Sequence, residues 1–428
     1  MQRYHLSEER VLMSSNTDAP LLSVIIPTRN RQEYAIFSVA SILRIQDPEL
    51  QVVVQDNSDT RELEELLARS VQDSRLRYSY TPTPLSFIDN FDSAVRLATG
   101  EYLCLIGDDD GINPEIMEAT RWAKENEIDS FKPAHCVDYI WPGSGLSSTL
   151  FSDVPQESGI LTIRSFSGQI VHSNREWELR KLIRKGGQEY LKTELPKLYH
   201  GMVKRECLER VRAKTGAYFG GLSPDIYASV SIANMAKNSV SIDYPLTLPG
   251  ACRKSGSVES QVGNHTGNLE DAPHLNNRGP YEWAEQVPRY YSVPTIWADS
   301  TIAALQDLGR EDLLKDFNVA YLAACCLWAH PRYGRTILRD LYRAIRLSGK
   351  NSLVGTIQLF LSFVIGPGRL LFKRIANRVR IILRGENVTR IDSVANIIEA
   401  TDCLIHHLKV KGHSFSACVN CGNEAGRR

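Results

Sequence analysis

Three consecutive aspartates, Asp108, Asp109 and Asp110, follow the apolar run Glu101 to Ile106 (EYLCLI). Neighbouring like charges a few ångströms apart repel by about 1 kcal/mol even at high dielectric. A divalent cation removes that cost. Carboxylate oxygens are hard ligands that suit Mg2+ or Mn2+, ions that commonly bridge one or two carboxylates to substrate phosphates. The metal pair is read as Asp108 and Asp110. The alternative is a solvated acidic turn; the apolar run that ends here favours the cation, because ligands of α/β sheets bind beyond the carboxyl ends of the strands. A second set has zinc-like spacing: Cys403 and His406, then Cys418 and Cys421, with His407 and His413 as further ligands. Its alternative is a polar tail with incidental cysteines.

The elements that must position the triad are legible around it. Leu21–Pro27 (LLSVIIP), Gln51–Val54, Leu76–Tyr80 and Glu101–Ile106 read as buried strands. Between them, Tyr34–Ile45, Arg61–Val71 and Phe87–Ala98 carry apolar residues at helical spacing, the last stopped by Gly100. Alternating strands and helices predict a parallel α/β sheet. Its polar loops Thr28–Arg31, Gln55–Asp59 and Asp108–Asp110 would converge on one crevice. Further on, Leu198–Lys204 and Val240–Leu248 read as strands and Pro224–Met235 as a helix. Ser255–Pro280, rich in Gly, Asn and Ser, reads as a long loop or lid. From Ser300 to about Lys411 the pattern is helical.

LLSVIIPTRNR, VVVQDNSD and FIDNFDSAVRLATGEYLCLIGDDD together resemble the nucleotide-sugar half of family-two inverting glycosyltransferases of the GT-A fold, over roughly Leu21 to Pro114. The resemblance implies a Rossmann-like mixed sheet, a nucleotide-diphosphate sugar donor, Mn2+ or Mg2+, and inversion at the anomeric carbon. It puts Pro27, Thr28, Asn30, Asp56, Asn57, Asp108 and Asp109 at the donor nucleotide. Gln55 stands where many members have an acid, which leaves the base open, and Asp56-Asn57 is also a common turn pair. The resemblance further implies that Asp225, opening a helix after Gly220-Gly221-Leu222-Ser223-Pro224, takes the proton of the acceptor hydroxyl. The usual Glu-Asp pair is Pro-Asp here. Ser, Pro and Asp at a helix start also read as plain capping. His200 falls on the acceptor side.

Composition bounds the rest. Apolar residues make up 43% and charged residues 23% of 428, an ordinary globular mix that excludes a fully disordered or fibrous chain. Basic and acidic residues tie at 50 each, but from Pro331 onward 17 basic residues face 6 acidic ones. A basic C-terminal quarter points to a localised anionic partner rather than nucleic acid. Leu353–Ile365 is apolar but shorter than the ~20 residues that span a bilayer. The basic and apolar residues interleaved from Arg369 to Arg384 suggest a membrane-surface helix, with a helical subdomain as the alternative. Nine cysteines without a framework read as reduced and intracellular, with Cys325-Cys326 in a core.

The expected organisation is a polar leader without a secretory signal (1–20), a nucleotide-sugar half (21–130), an acceptor half (131–255), a loop or lid (256–299) and a helical, basic region (300–428). The expected function is transfer of a sugar to a glycan or lipid-linked acceptor in surface polysaccharide synthesis, in the cytoplasm and peripheral at the inner membrane face. A sugar nucleotidyltransferase would want a glycine-rich loop after the first strand, where Thr-Arg-Asn-Arg stands, and no GxGxxG follows a strand. A degenerate transferase acting as a scaffold is the non-enzyme alternative.

Overall fold

The computed structural model describes residues 19–146, 157–256, 265–347, 357, 360–362 and 388–419. Its centre is an eight-stranded mixed sheet. The first half alternates β1 (Leu22–Thr28), α1 (Gln32–Leu43), β2 (Leu50–Asp56), α2 (Glu62–Ser70), β3 (Leu76–Tyr80), α3 (Phe87–Leu97) and β4 (Tyr102–Leu105). Strand β1 pairs in parallel with β2 and β4, and β2 with β3. β1 is buried along its whole length because helices cover both faces of the sheet. Gly100 acts differently from the expected helix stop: its φ is not positive. A Cβ there would lie 2.6 Å from the Ser23 backbone nitrogen, so glycine permits the close crossing of β1.

The second half adds β5 (Gly111–Ile112), α4 (Ile116–Glu125), β6 (Ser130–Pro133), β7 (Val137–Ile140), β8 (Gly159–Ile163), β9 (Ile170–His172), α5 (Arg175–Arg184), β10 (Met202–Lys204), α6 (Arg205–Thr215), α7 (Pro224–Met235), β11 (Ser239–Ile242), β12 (Thr247–Leu248) and β13 (Gly250–Ala251). The main sheet runs β3-β2-β1-β4-β10-β6-β11-β9. β10 is antiparallel to both β4 and β6, which makes the sheet mixed. Two expected strands are shorter than their apolar runs. Only Met202–Lys204 of Leu198–Lys204 is strand, because His200 takes a left-handed turn (φ 56) before it. Val240–Leu248 breaks into β11 and β12, the second pairing with β5 instead.

Beyond residue 256 the described part of the expected lid is tied down. β14 (Thr266–Gly267) pairs with β15 (Tyr291–Ser292). The buried Asp299 carboxylate accepts from Ala284 N (2.9 Å) and the Tyr281 hydroxyl. Then α8 (Val293–Leu308), α9 (Glu311–Lys315), α10 (Val319–Ala329) and α11 (Gly334–Leu347) build a helical core against α5 and α7. The helical pattern does not persist to Lys411. β16 (Thr389–Val394) adds antiparallel to β8, and α12 (Ile397–Lys411) packs on α1 and β5. Val394, Ile397, Ala400, Leu404, Leu408 and Phe415 thereby join the core of the first half. Among the described residues no helix is long and apolar enough to cross a membrane. The leader up to residue 18 and the basic stretch Arg369–Arg384 lie outside the described residues.

Candidate active site

The Asp108–Asp110 turn leaves the carboxyl end of β4, and all three carboxylates are buried. Such a cluster is tolerated only with compensating positive charge or donors. Arg31, in the loop after β1, supplies one cation: its two terminal nitrogens lie 3.0 Å from Asp108 Oδ1 and 2.9 Å from Asp109 Oδ1. Thr28 Oγ1 donates to Asp108 Oδ2 (2.6 Å). Asp110 faces the other way. Its Oδ2 accepts from Gly107 N (2.6 Å) and the Tyr199 hydroxyl (3.1 Å), and His200 Nε2 stands 3.1 Å from it. Its Oδ1 accepts from Gly250 N (2.6 Å). Cys252 N donates to Asp109 Oδ2 (3.1 Å). Gly250 is required here, since a Cβ would fall 1.9 Å from the Asp109 carbonyl oxygen.

These neighbours split the triad electrostatically. Burial pushes Asp108 and Asp109 up, against the Arg31 charge. For Asp110 burial acts in the same direction, but His200 and the Gly250 and Gly107 amides outweigh it and hold the group below the usual carboxylate range. Arg31 stays charged, because Asp108 and Asp109 overcome its own burial.

No three His, Cys, Asp or Glu side chains form a ready-made metal cage among the described residues. A phosphate-bridging Mg2+ or Mn2+ does not need one, since it takes one or two carboxylates and completes its shell with water and phosphate. Asp108 Oδ1 suits that role: it is buried, accepts no hydrogen bond and meets only the Arg31 charge. The donor set therefore fits such a cation at Asp108.

The expected nucleotide residues gather at the same strand ends. Pro27 and Thr28 end β1, in register with Gln55 and Asp56 of β2. Asn30, held at φ 55, ties the two loops together: its side chain bonds Asp59 through Nδ2 and Oδ1 (both 2.9 Å). Asp56 is buried and raised by that burial. It accepts from Ser58 N and the Tyr78 hydroxyl, both at 2.8 Å. Asn57 donates to the Thr81 and Thr83 carbonyls and accepts from Leu85 N. The turn-forming role of Asp56-Asn57 is thus present in full.

Asp225 is half-buried in the first turn of α7, and its carboxylate has no hydrogen bond or ion pair among the described residues. Burial pushes it up to about 6, against His200 and Lys197; Asp110 adds to the rise. Asp225 therefore lies within electrostatic reach of His200, which pairs with Asp110, and of Asp110 itself. Ser223 is the N-cap residue but makes no side-chain cap bond. Ser300 Oγ on α8 instead accepts from Leu222 N and Ser223 N, each at 2.9 Å.

Sequence reasoning missed Arg31, Tyr199, Lys197, Ser300 and the Gly250–Cys252 strand end. Arg31 alone had a signal, a cation in a loop expected to meet the triad. The zinc reading is not assembled. Cys403, His406 and His407 sit on α12 beside Ile391 and Val410, whereas Cys418 is buried and donates to the Ser414 carbonyl. Cys421 lies outside the described residues. None of the eight described cysteines forms a disulfide, and Cys326 is buried.

Residues 23–134 match the family model described as glycosyl transferase family 2. A putative colanic acid biosynthesis glycosyl transferase, WcaA of Escherichia coli K12, is 31% identical over 126 residues, 29% of this chain and 44% of the relative. The chain thus aligns with less than half the length of this curated relative. Among solved structures, S. aureus TarS residues 1–349 with UDP-GlcNAc aligns over 77% of this chain and 92% of that one, at 15% identity and a TM-score of 0.39. The S. aureus TarS structure without a stated ligand gives 17% identity over 76% and 55%, with the same score.

Proposed function

We propose that the chain is an inverting glycosyltransferase that moves a sugar from a nucleotide-diphosphate donor to an acceptor hydroxyl. One observation carries the reading: Asp225, a carboxylate without a hydrogen-bond or ion-pair partner among the described residues, opens α7 within electrostatic reach of His200 and of Asp110 in the buried cluster at the carboxyl edge of the sheet, and burial raises it to about 6. In this reading the acceptor hydroxyl attacks the anomeric carbon on the face opposite the diphosphate. Asp225 takes the hydroxyl proton, the new C–O bond forms, and the bond to the diphosphate oxygen breaks with its electron pair, releasing nucleoside diphosphate. A raised but sub-neutral pKa suits a base that is ionised at pH 7 yet still accepts a proton. Thr28, Asn30 and Asp56 with Asn57 line the nucleotide end through their loops. Asp108 and Asp110 would hold Mn2+ or Mg2+, which supplies positive charge to the leaving diphosphate. Arg31 keeps Asp108 and Asp109 oriented.

The name of the E. coli relative suggests the acceptor class, an extracellular polysaccharide or its lipid-linked precursor. We place the reaction at the cytoplasmic face of the membrane, where such an acceptor is reached, with the basic C-terminal region as the membrane-facing part. The test is release of nucleoside diphosphate from UDP- and GDP-sugars, with and without Mn2+. Full activity in excess EDTA removes the metal from the reading, and no release from any nucleotide sugar, with or without metal, overturns the transferase assignment.

A further inference from the structure

We propose that the outward face of α11 is a docking surface for an anionic lipid bilayer; this deepens the membrane-facing reading above and rests on it. The inner face of α11 buries Ile337, Leu341, Ala344 and Ile345 in the helical core. Asp340, the only acid in α11, is also buried: it accepts from Arg289 N (2.9 Å) and pairs with Arg339. The outward face therefore carries no exposed acid. It presents Arg335, Leu338, Arg339, Arg343 and Arg346, all exposed and spaced to share one broad side of the helix.

Helical arginines elsewhere show what pairing on a helix surface looks like. Arg61, Arg96, Arg180 and Arg212 each meet a carboxylate at 2.6–2.8 Å on their own helices. Arg335, Arg343 and Arg346 meet none among the described residues. An unbalanced cationic row attracts an anionic surface. The chain continues the theme. Between Pro331 and Arg384 there are twelve basic residues and one acid, the buried Asp340.

Apolar exposure selects the partner. The helical residues Ile357, Phe360 and Leu361 are 51%, 69% and 49% exposed, at i, i+3 and i+4. Isolated exposed apolar residues are ordinary, but several on one helical side mark a contact surface. Basic residues with apolar ones between them match a bilayer interface, where guanidinium groups meet lipid phosphates and the apolar side chains enter the acyl boundary. A nucleic acid offers phosphates but no apolar phase for Phe360 and Leu361.

The test is co-sedimentation of the full chain with vesicles of phosphatidylcholine alone or with 30% phosphatidylglycerol, read without turnover. The expected result is binding to the anionic vesicles only, weakened as salt shortens the screening length. The triple substitution Arg335→Gln, Arg343→Gln, Arg346→Gln should weaken it by roughly fivefold per arginine, about 100-fold in all. Phe360→Ser with Leu361→Ser should remove the binding that survives high salt. Thermal midpoint and nucleotide-sugar affinity should stay at wild-type values in both variants. Equal binding to neutral vesicles, undiminished binding by the triple variant, no binding by the wild type, or tighter binding to duplex DNA than to anionic vesicles overturns the proposal. A transferase-inactive chain that still binds vesicles would count against the proposed reaction and leave this surface standing.

Discussion

As the proposed base, Asp225 has to meet two requirements that usually conflict. It must be ionised to accept a proton, and it must be desolvated enough to want one. Burial raises it to about 6. The sign for activity follows: below pH 6 the carboxyl is protonated and cannot act as base. The transfer rate should therefore fall about tenfold per pH unit in the acid limb and level off above pH 7, as a pH–rate profile of acceptor-dependent turnover would show. Asp225→Asn should lower that rate by about 10²-fold or more while donor affinity and thermal midpoint stay close to wild type. A rate loss that only follows a lower midpoint would return Asp225 to helix capping. Arg31 offers a complementary test without turnover. Replacing it by Ala leaves the buried Asp108 and Asp109 uncompensated, which should cost about 3–5 kcal/mol of stability. If these carboxylates take a divalent cation, Mn2+ should raise the melting temperature of Arg31→Ala more than that of the wild type. The triad could be read from sequence because three adjacent acids after an apolar run are locally unusual. Apart from Arg31, whose loop was expected to meet the triad, its partners could not be read, because Tyr199, His200 and Gly250 converge on it only through the fold.

At the scale of elements, α7 shows how the proposed base is aimed. Its first turn is held by α8: Ser300 Oγ accepts from the two backbone amides before Pro224, while Ser223 caps nothing. Ser300→Ala would leave two buried N–H groups unpaired, at about 1–3 kcal/mol each. The start of α7 should shift, so acceptor-dependent kcat should fall more than donor affinity does, measured by steady-state kinetics beside donor titration. The α7 boundaries follow from Pro224 at the first helical position. Likewise β1 to β4 follow from apolar runs, because strands covered on both faces need continuous apolar sequence. Val240–Leu248 fails the same logic. Its apolar residues serve two different pairings, β11 with β6 and β12 with β5, and nothing local announces the break. The left-handed residue at His200 is equally silent, since the turn is imposed by contact with β4 and Asp110.

The whole molecule is closed by its C-terminal segment. β16 edges the sheet of β7 and β8, Tyr139 donates to the Val394 carbonyl (3.0 Å), and Phe415 is fully buried with Trp122 and Tyr244 around it. A helical pattern after residue 300 suggested one contiguous region. It could not reveal this return, because pairing across such separations leaves no periodic trace. Phe415→Ala should therefore cost about 3–5 kcal/mol, and removal of residues 389–428 should lower the melting temperature of the nucleotide-sugar half itself, as calorimetry would register. Ser41 and Thr401, whose hydroxyls meet at 3.2 Å, are 360 residues apart. At roughly 5–20 residues per second a ribosome needs about 20–70 s to make the stretch between them. Throughout that interval the nascent chain presents the outer side of α1 uncovered, and once residue 163 is made the edge of β8 as well. A chaperone holding that surface would be released only when β16 and α12 arrive, and a product of premature termination would keep it exposed and be cleared.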